Sequence, residues 1–245
     1  MLIFNGHNRP SSFTSLSLNS VTQMGTAGHC FELCTKLEII QLDNVESLPQ
    51  YSFYNCTSLH TITGLKVKTI EQSCFHNCIC LSTATFPSLL TIGSNSFQGA
   101  ISLKEIDYSS VTSVSSNAFY SCSELKTVVM NSCVSVGYYA FCSCVSLSHL
   151  LMPELVTMSY CAFRDTAVVS LEFPQLTTLN VGKVDGTSDV GGQFMHCSKL
   201  TSFTAPYASS IPIWMFYGCV SLTSLSMDNA GTIGTNSFGQ CTSLT

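Results

Sequence analysis

The sequence predicts a mainly β solenoid of about ten 22-residue coils carrying one parallel sheet, and three observations predict it. Phenylalanine recurs at Phe31, Phe53, Phe75, Phe97, Phe119, Phe141, Phe163, Phe194, Phe216 and Phe238, so that eight successive intervals are 22 residues and one is 31. Leucine stands six residues after nine of these ten, from Leu37 and Leu59 to Leu222 and Leu244. Nine residues after the phenylalanine comes Ile40, Ile62, Ala84, Ile106, Val128, Leu150, Phe203 or Leu225, within a stretch that alternates with the period of two of a strand. A unit this short cannot hold a strand and a full crossover helix. Each unit is therefore one coil whose short strand pairs in parallel with the coils before and after. At about 4.8 Å between strands, ten coils give a sheet of roughly 45–50 Å.

The remaining positions follow the same count. A second apolar pair precedes the next phenylalanine in most coils, as in Val45 and Leu48, Val67 and Ile70, Leu89 and Ile92, Val111 and Val114, and Leu155 and Met158. The unit after Phe163 has lost one residue, which puts Val168 and Leu171 in the leucine and isoleucine places. At the start, Phe13 and Leu16 occupy those two places partway into a unit, and Thr245 stops seven residues past Phe238. The whole of 1–245 is read as a single solenoid domain. Solenoid cores need polar caps, and neither end supplies one, so the expectation is a piece of a longer chain truncated at both ends, or end-to-end self-association.

Composition excludes several function classes. The chain is 45% apolar but only 9% of it is charged, against about 25% in an ordinary soluble domain. Its surface must be built from Ser, Thr, Asn and Gly. A net charge of −5 without any basic run lacks the counterion-release term that drives nucleic-acid binding, so no nucleic-acid partner is expected. No apolar stretch approaches the roughly 20 residues of a membrane span, and "MLIFNGHNRPSSF" does not read as a signal peptide.

The wording F-x-x-C-x-x-L-x-x-I, with Pro87, Pro153, Pro174 and Pro206 after the strand, resembles the BspA-like leucine-rich repeat of oral bacteria, spirochaetes and anaerobic protists. The resemblance covers nearly the whole chain. It implies a leucine-rich-repeat fold, a cell-surface or extracellular location within a longer chain, adhesion, and binding of host or microbial surface proteins or glycans. The alternative is a cytoplasmic protein-interaction scaffold of the same fold, which fourteen cysteines and the missing signal peptide would suit.

Eight cysteines sit three residues after the repeat phenylalanine: Cys34, Cys56, Cys78, Cys122, Cys144, Cys197, Cys219 and Cys241. Ala100 and Thr166 fill the same place in the other two coils, so the position selects a small side chain, and packing with a weak donor for nearby carbonyls is the reading adopted. Disulfides between stacked coils fit the Cα spacing but not the side-chain direction. Cys30, Cys34, Cys56, Cys74, Cys78 and Cys80 gather over three coils, yet no C-x-x-C pair occurs, which argues against zinc. A nucleophilic thiolate needs a basic neighbour; His76 stands two residues before Cys78 and His196 immediately before Cys197, and the six histidines otherwise fall at unrelated offsets. Phosphate-loop, zinc-protease and hydrolase-elbow motifs do not occur. No catalytic, metal or cofactor role is expected.

Two places are left for partners. The inserted residues, 180–192, carry Asp185, Asp189 and four glycines and are expected to form an exposed loop. The other place is the open face of the sheet, where the residues flanking each inward strand centre point outward. These candidates are Thr61, Thr63, Thr83, Thr85, Glu105, Asp107, Thr127, Val129, His149 and Leu151. The stripe admits two readings, good strand formers with no ligand, or a protein- or glycan-binding face centred on Glu105, Asp107, Val129, His149 and Leu151.

Overall fold

The chain was analysed as a computed structural model, which describes residues 13–184 and 188–245. The 22-residue period closes one circuit of backbone per repeat, and the strands of successive coils pair in register within each sheet. The strands expected from the sequence are present. They run in parallel through Ser15–Ser17, Ile39–Gln41, Thr61–Thr63 and Thr83–Thr85, then Glu105–Asp107, Thr127–Val129 and His149–Leu151, then Ser170–Glu172, Ser202–Thr204 and Ser224–Ser226. Each puts its central residue inward and its two flanking residues outward, as the alternation requires.

Seven of the coils carry two strands rather than one. The apolar pair before the next phenylalanine ends in a two-residue strand, and seven of these form a continuous parallel sheet from Ser47–Leu48 to Thr178–Leu179. Leu48, Ile70, Ile92, Val114, Val136, Met158 and Leu179 face the core. Their partners Ser47, Thr69, Thr91, Ser113, Ser135, Thr157 and Thr178 face out in one line of hydroxyls. A strand with one inward side chain leaves almost no period to detect, which is why it was not legible beside the longer one.

The front ladder is interrupted twice, between Thr83–Thr85 and Glu105–Asp107 and between His149–Leu151 and Ser170–Glu172. At the first interruption the buried Tyr108 hydroxyl donates to the Ala84 carbonyl at 2.9 Å, so that the unpaired acceptor is still satisfied. The small Ala84 stands where most coils have a larger residue, beside the packed rings of Phe86 and Tyr108.

The third side of the coil is the turn around the repeat phenylalanine. All ten rings form one unbroken stack, with successive centroids 5.3, 5.2, 5.0, 5.1, 5.1, 5.2, 5.7, 5.9 and 5.7 Å apart. The 31-residue interval does not break it, because the extra chain leaves the coil and returns. Gly182–Val184 and Ser188–Val190 pair antiparallel as a ribbon, and Gly182 leaves no room for a Cβ beside the ring of Tyr160.

Replacing Phe119 in the middle of the stack by Ala removes a fully buried ring and two stacking partners. The expected cost is about 3–5 kcal/mol in urea unfolding, with Phe119→Leu costing less. Because coils contact only their neighbours, the Ala variant is also expected to unfold in two steps where the parent unfolds in one.

Candidate functional site

The cysteines come first, because they are the chain's most reactive side chains and their geometry decides whether they carry chemistry. Seven ladder thiols donate to the carbonyl of the phenylalanine one coil back. Cys56 reaches Phe31 and Cys78 reaches Phe53 at 3.0 Å, and Cys122, Cys144, Cys197, Cys219 and Cys241 reach their acceptors at 3.1 Å. Thr166 stands in the ladder with its hydroxyl on the Phe163 carbonyl at 2.9 Å and 3.2 Å from the Cys197 sulfur. Burial pushes the Cys56, Cys78 and Cys219 thiols far up and raises Cys197 to about 12. These are the opposite of the conditions that make a nucleophilic thiolate.

Neither neighbouring histidine changes this: His196 Nδ1 lies 3.0 Å from the Asp165 carboxylate while the Cys197 thiol reaches Phe163, and His76 is likewise engaged elsewhere. Its ring stacks on Tyr54 at 4.9 Å, burial lowers its pKa, and the Cys78 proton is committed to Phe53. Among the described residues, no three His, Cys, Asp or Glu side chains are placed to hold a metal ion. A thiol reagent added to native protein at pH 8 is therefore expected to label the half-buried Cys30 and Cys80 first. The ladder thiols from Cys56 to Cys219 should label only in denaturant. Rapid native labelling of Cys78, mapped by peptide mass, would show the ladder reading to be wrong.

The open face can now be assembled. Glu105, Thr127 and His149 lie side by side in one row, and Asp107, Val129 and Leu151 in the next. Thr61 with Thr83, and Thr63 with Thr85, continue the two rows on the preceding sheet, beyond the first interruption of the ladder. Ser109 donates to the Asp107 carboxylate, and Ser148 Oγ lies 2.9 Å from His149 Nδ1. The acidic rung is thus followed by a Thr–Val rung and a His–Leu rung, with Leu151 50% exposed.

Beside the His–Leu rung the second interruption of the ladder opens a shallow groove of about 530 Å3, lined by Thr127, Val129, His149, Leu151, Val169 and Ser170 among others. The structure thereby joins the expected centre of the face to Val169, 45% exposed, which the outward-facing pattern did not contain. The sequence carried one trace of it, the residue lost after Phe163, but not which two strands would fail to pair. The loop candidate Asp185 lies outside the described residues, and Asp189 stands in the inserted ribbon, paired across it with Lys183.

Comparison with known proteins gives the family. The model of the BspA-type leucine-rich-repeat region matches six copies, over residues 7–91, 68–183 and 190–245. The chain belongs to the BspA-type leucine-rich-repeat family. Among solved structures, a leucine-rich-repeat protein of Bacteroides ovatus is 25% identical, over 91% of this chain and 69% of that one, with a TM-score of 0.56. A leucine-rich cell-surface protein of Faecalibacterium prausnitzii is 21% identical, over 95% and 78%, with a TM-score of 0.52, and shows the shared fold. No curated protein matches the sequence. A BspA-type solenoid is a repeat scaffold for interactions, built to present a long surface in register. Among the described residues, no helix is long and apolar enough to cross a membrane.

Proposed function

We propose that this BspA-type chain is the protein-binding module of a cell-surface, adhesin-type protein, and that the partner docks on the open sheet face at the Val129–Leu151–Val169 groove. The observation that carries the reading is the coincidence of an exposed apolar patch with a cleft and a neighbouring acidic rung. Elsewhere the outward residues are mostly Thr and Ser, with Ile39 standing alone beside Gln41, so the groove is where association gains most from apolar burial.

The arrangement defines the chemistry of the partner. An apolar side chain fits the groove between Leu151 and Val169, while a basic side chain about 10 Å away, two rungs along, meets Glu105 and Asp107. Charge on the rim then steers encounter and makes association faster at low salt. The surface location is supported by the cell-surface description of the Faecalibacterium neighbour. The cytoplasmic scaffold is favoured by one specific observation, that Cys56, Cys78, Cys122, Cys144, Cys197 and Cys219 each direct the sulfur at a backbone carbonyl and not at another cysteine. Burial also keeps thiols reduced, so this observation weighs less than it would for exposed cysteines.

Antibody raised against residues 180–192 is expected to label intact source cells, and labelling only after permeabilisation would select the scaffold. Bead-bound chain exposed to a surface-protein extract should retain proteins that Leu151→Asp releases, with a loss of at least about tenfold at an unchanged unfolding temperature. Glu105→Lys combined with Asp107→Lys should slow association at low salt and leave it nearly unaltered at high salt. Retention equal to the parent in both variants would put the contact elsewhere.

A further inference from the structure

The second interruption of the front ladder leaves two strand edges facing each other without bonds between them. Among the described residues, His149–Leu151 pairs only with Thr127–Val129, and Ser170–Glu172 only with Ser202–Thr204. The same two coils stay joined elsewhere. Their rings Phe141 and Phe163 stack at 5.2 Å, and on the back Thr157 and Met158 pair with Thr178 and Leu179. The coils therefore part on the front, at the groove that Ser148, Leu150 and Ser170 help to line.

The intact rungs show which backbone groups are left over. After each strand, one amide donates to the next coil, as Met130 does to the Leu151 carbonyl and Phe173 to the Thr204 carbonyl, both at 2.9 Å. Met152 holds the same place in its coil and donates to no carbonyl among the described residues. At the strand start, His149 donates to the Lys126 carbonyl at 3.0 Å, but Ser170 does not reach the Ser148 carbonyl. Carbonyls alternate along a strand, so with that of Leu151 bonded to the coil before, that of Leu150 looks into the gap.

At the first interruption the corresponding carbonyl, that of Ala84, is capped by the Tyr108 hydroxyl at 2.9 Å. Beyond the second interruption the residue in the place of Tyr108 is Phe173. It has no hydroxyl, and its ring packs forward on Phe194 and Phe203, 6.3 and 5.9 Å away. The chain closes one gap itself and leaves the other open.

Building on the reading of this groove as a docking site for protein, we propose that it takes an extended peptide segment of the partner. The segment's backbone bonds to the Ser148 and Leu150 carbonyls and to the Met152 and Ser170 amides, while an apolar side chain rests between Leu151 and Val169. A ligand that covered the groove with apolar surface alone would strip water from these donors and acceptors and replace none of their bonds. An extended backbone carries both kinds of group, and the donors of every second residue face the same edge, matching carbonyls two residues apart. Main-chain bonds of this kind give affinity to peptides that add to a strand edge, and side-chain pockets select the sequence. A helix would not serve, because its amides and carbonyls are already paired along its own axis.

The test uses an array of short linear peptides, each with an apolar residue flanked by Thr and Val, probed with the full chain and with Leu151→Asp. The strongest binder lost with Leu151→Asp is then resynthesised with single backbone N-methyl groups, which remove one donor at a time. Methylation at alternate residues is expected to weaken binding at least about tenfold, and at the residues between them by no more than a few-fold. In the chain, Ser170→Pro deletes an amide that leaves its neighbouring coil unbonded. It should keep the unfolding temperature of Ser170→Ala while weakening the peptide at least about fivefold. If Ser170→Pro fails to fold, the methylation series decides. A Leu151-dependent binder that tolerates every methylation, and binds Ser170→Pro as it binds Ser170→Ala, overturns the extended segment and leaves the groove standing as a docking site. So does an array without any Leu151-dependent peptide, if Leu151→Asp still releases protein partners. Loss of both dependences overturns the docking site itself.

Discussion

Two residues per coil, two before and two after the repeat phenylalanine, hold a left-handed backbone. In the seventeen non-glycine cases φ lies between 52° and 61°, and the series includes Leu33, Tyr51, Tyr139, Cys161 and Trp214. Such a conformation costs about 1–2 kcal/mol in a residue with a Cβ. It recurs because it turns the amides two before, at and two after the phenylalanine toward the next coil, where each finds a carbonyl. In one coil these are Tyr51 to Gln72, Phe53 to Cys74 and Asn55 to His76, at 3.0, 2.8 and 2.9 Å. The strained turn is retained by coil-to-coil hydrogen bonding, and the ring stack, the thiol ladder and both sheets inherit their spacing from it.

The thiol ladder shows how this constraint selects side chains. Inside the turn, the carbonyl of each phenylalanine accepts from the amide three residues on, as Phe53 does from Cys56 at 3.1 Å, and keeps a second lone pair that faces the next coil. A cysteine fits the space and donates. The Thr166 hydroxyl meets the carbonyl of its own coil and leaves the Cys197 thiol to reach Phe163 as well. The same residue that suggests redox or metal chemistry in a short motif is here a packing element with a weak hydrogen bond.

What the sequence made legible follows from the same physics. The phenylalanine, leucine and cysteine columns could be read because each is the demand of one buried place, met in ten, nine and eight of the ten coils, and Leu59, Cys78 and Phe119 stand where the period puts them. The left-handed positions could not be read from residue type, since tertiary hydrogen bonding overrides the usual preference for Gly and Asn and admits Tyr51 or Trp214. The outward residues of the front strands were legible by alternation. The groove beside Leu151 was not, because it depends on the pairing lost between two particular coils rather than on any repeated residue.

That distinction is the reason for which we place recognition where the repeat is imperfect. A perfectly regular coil presents the same surface at every rung and binds every segment of a uniform ligand with equal weakness. Specificity needs a place where neighbouring rungs differ. The front face obtains it from the residue deleted after Phe163 together with the change from an acidic to an apolar rung. Neither change touches the phenylalanine stack or the turn amides, so the scaffold tolerates both. A solenoid held together by its turns leaves its sheet faces free to diverge, and the apolar groove beside an acidic rung is the outcome on the front one.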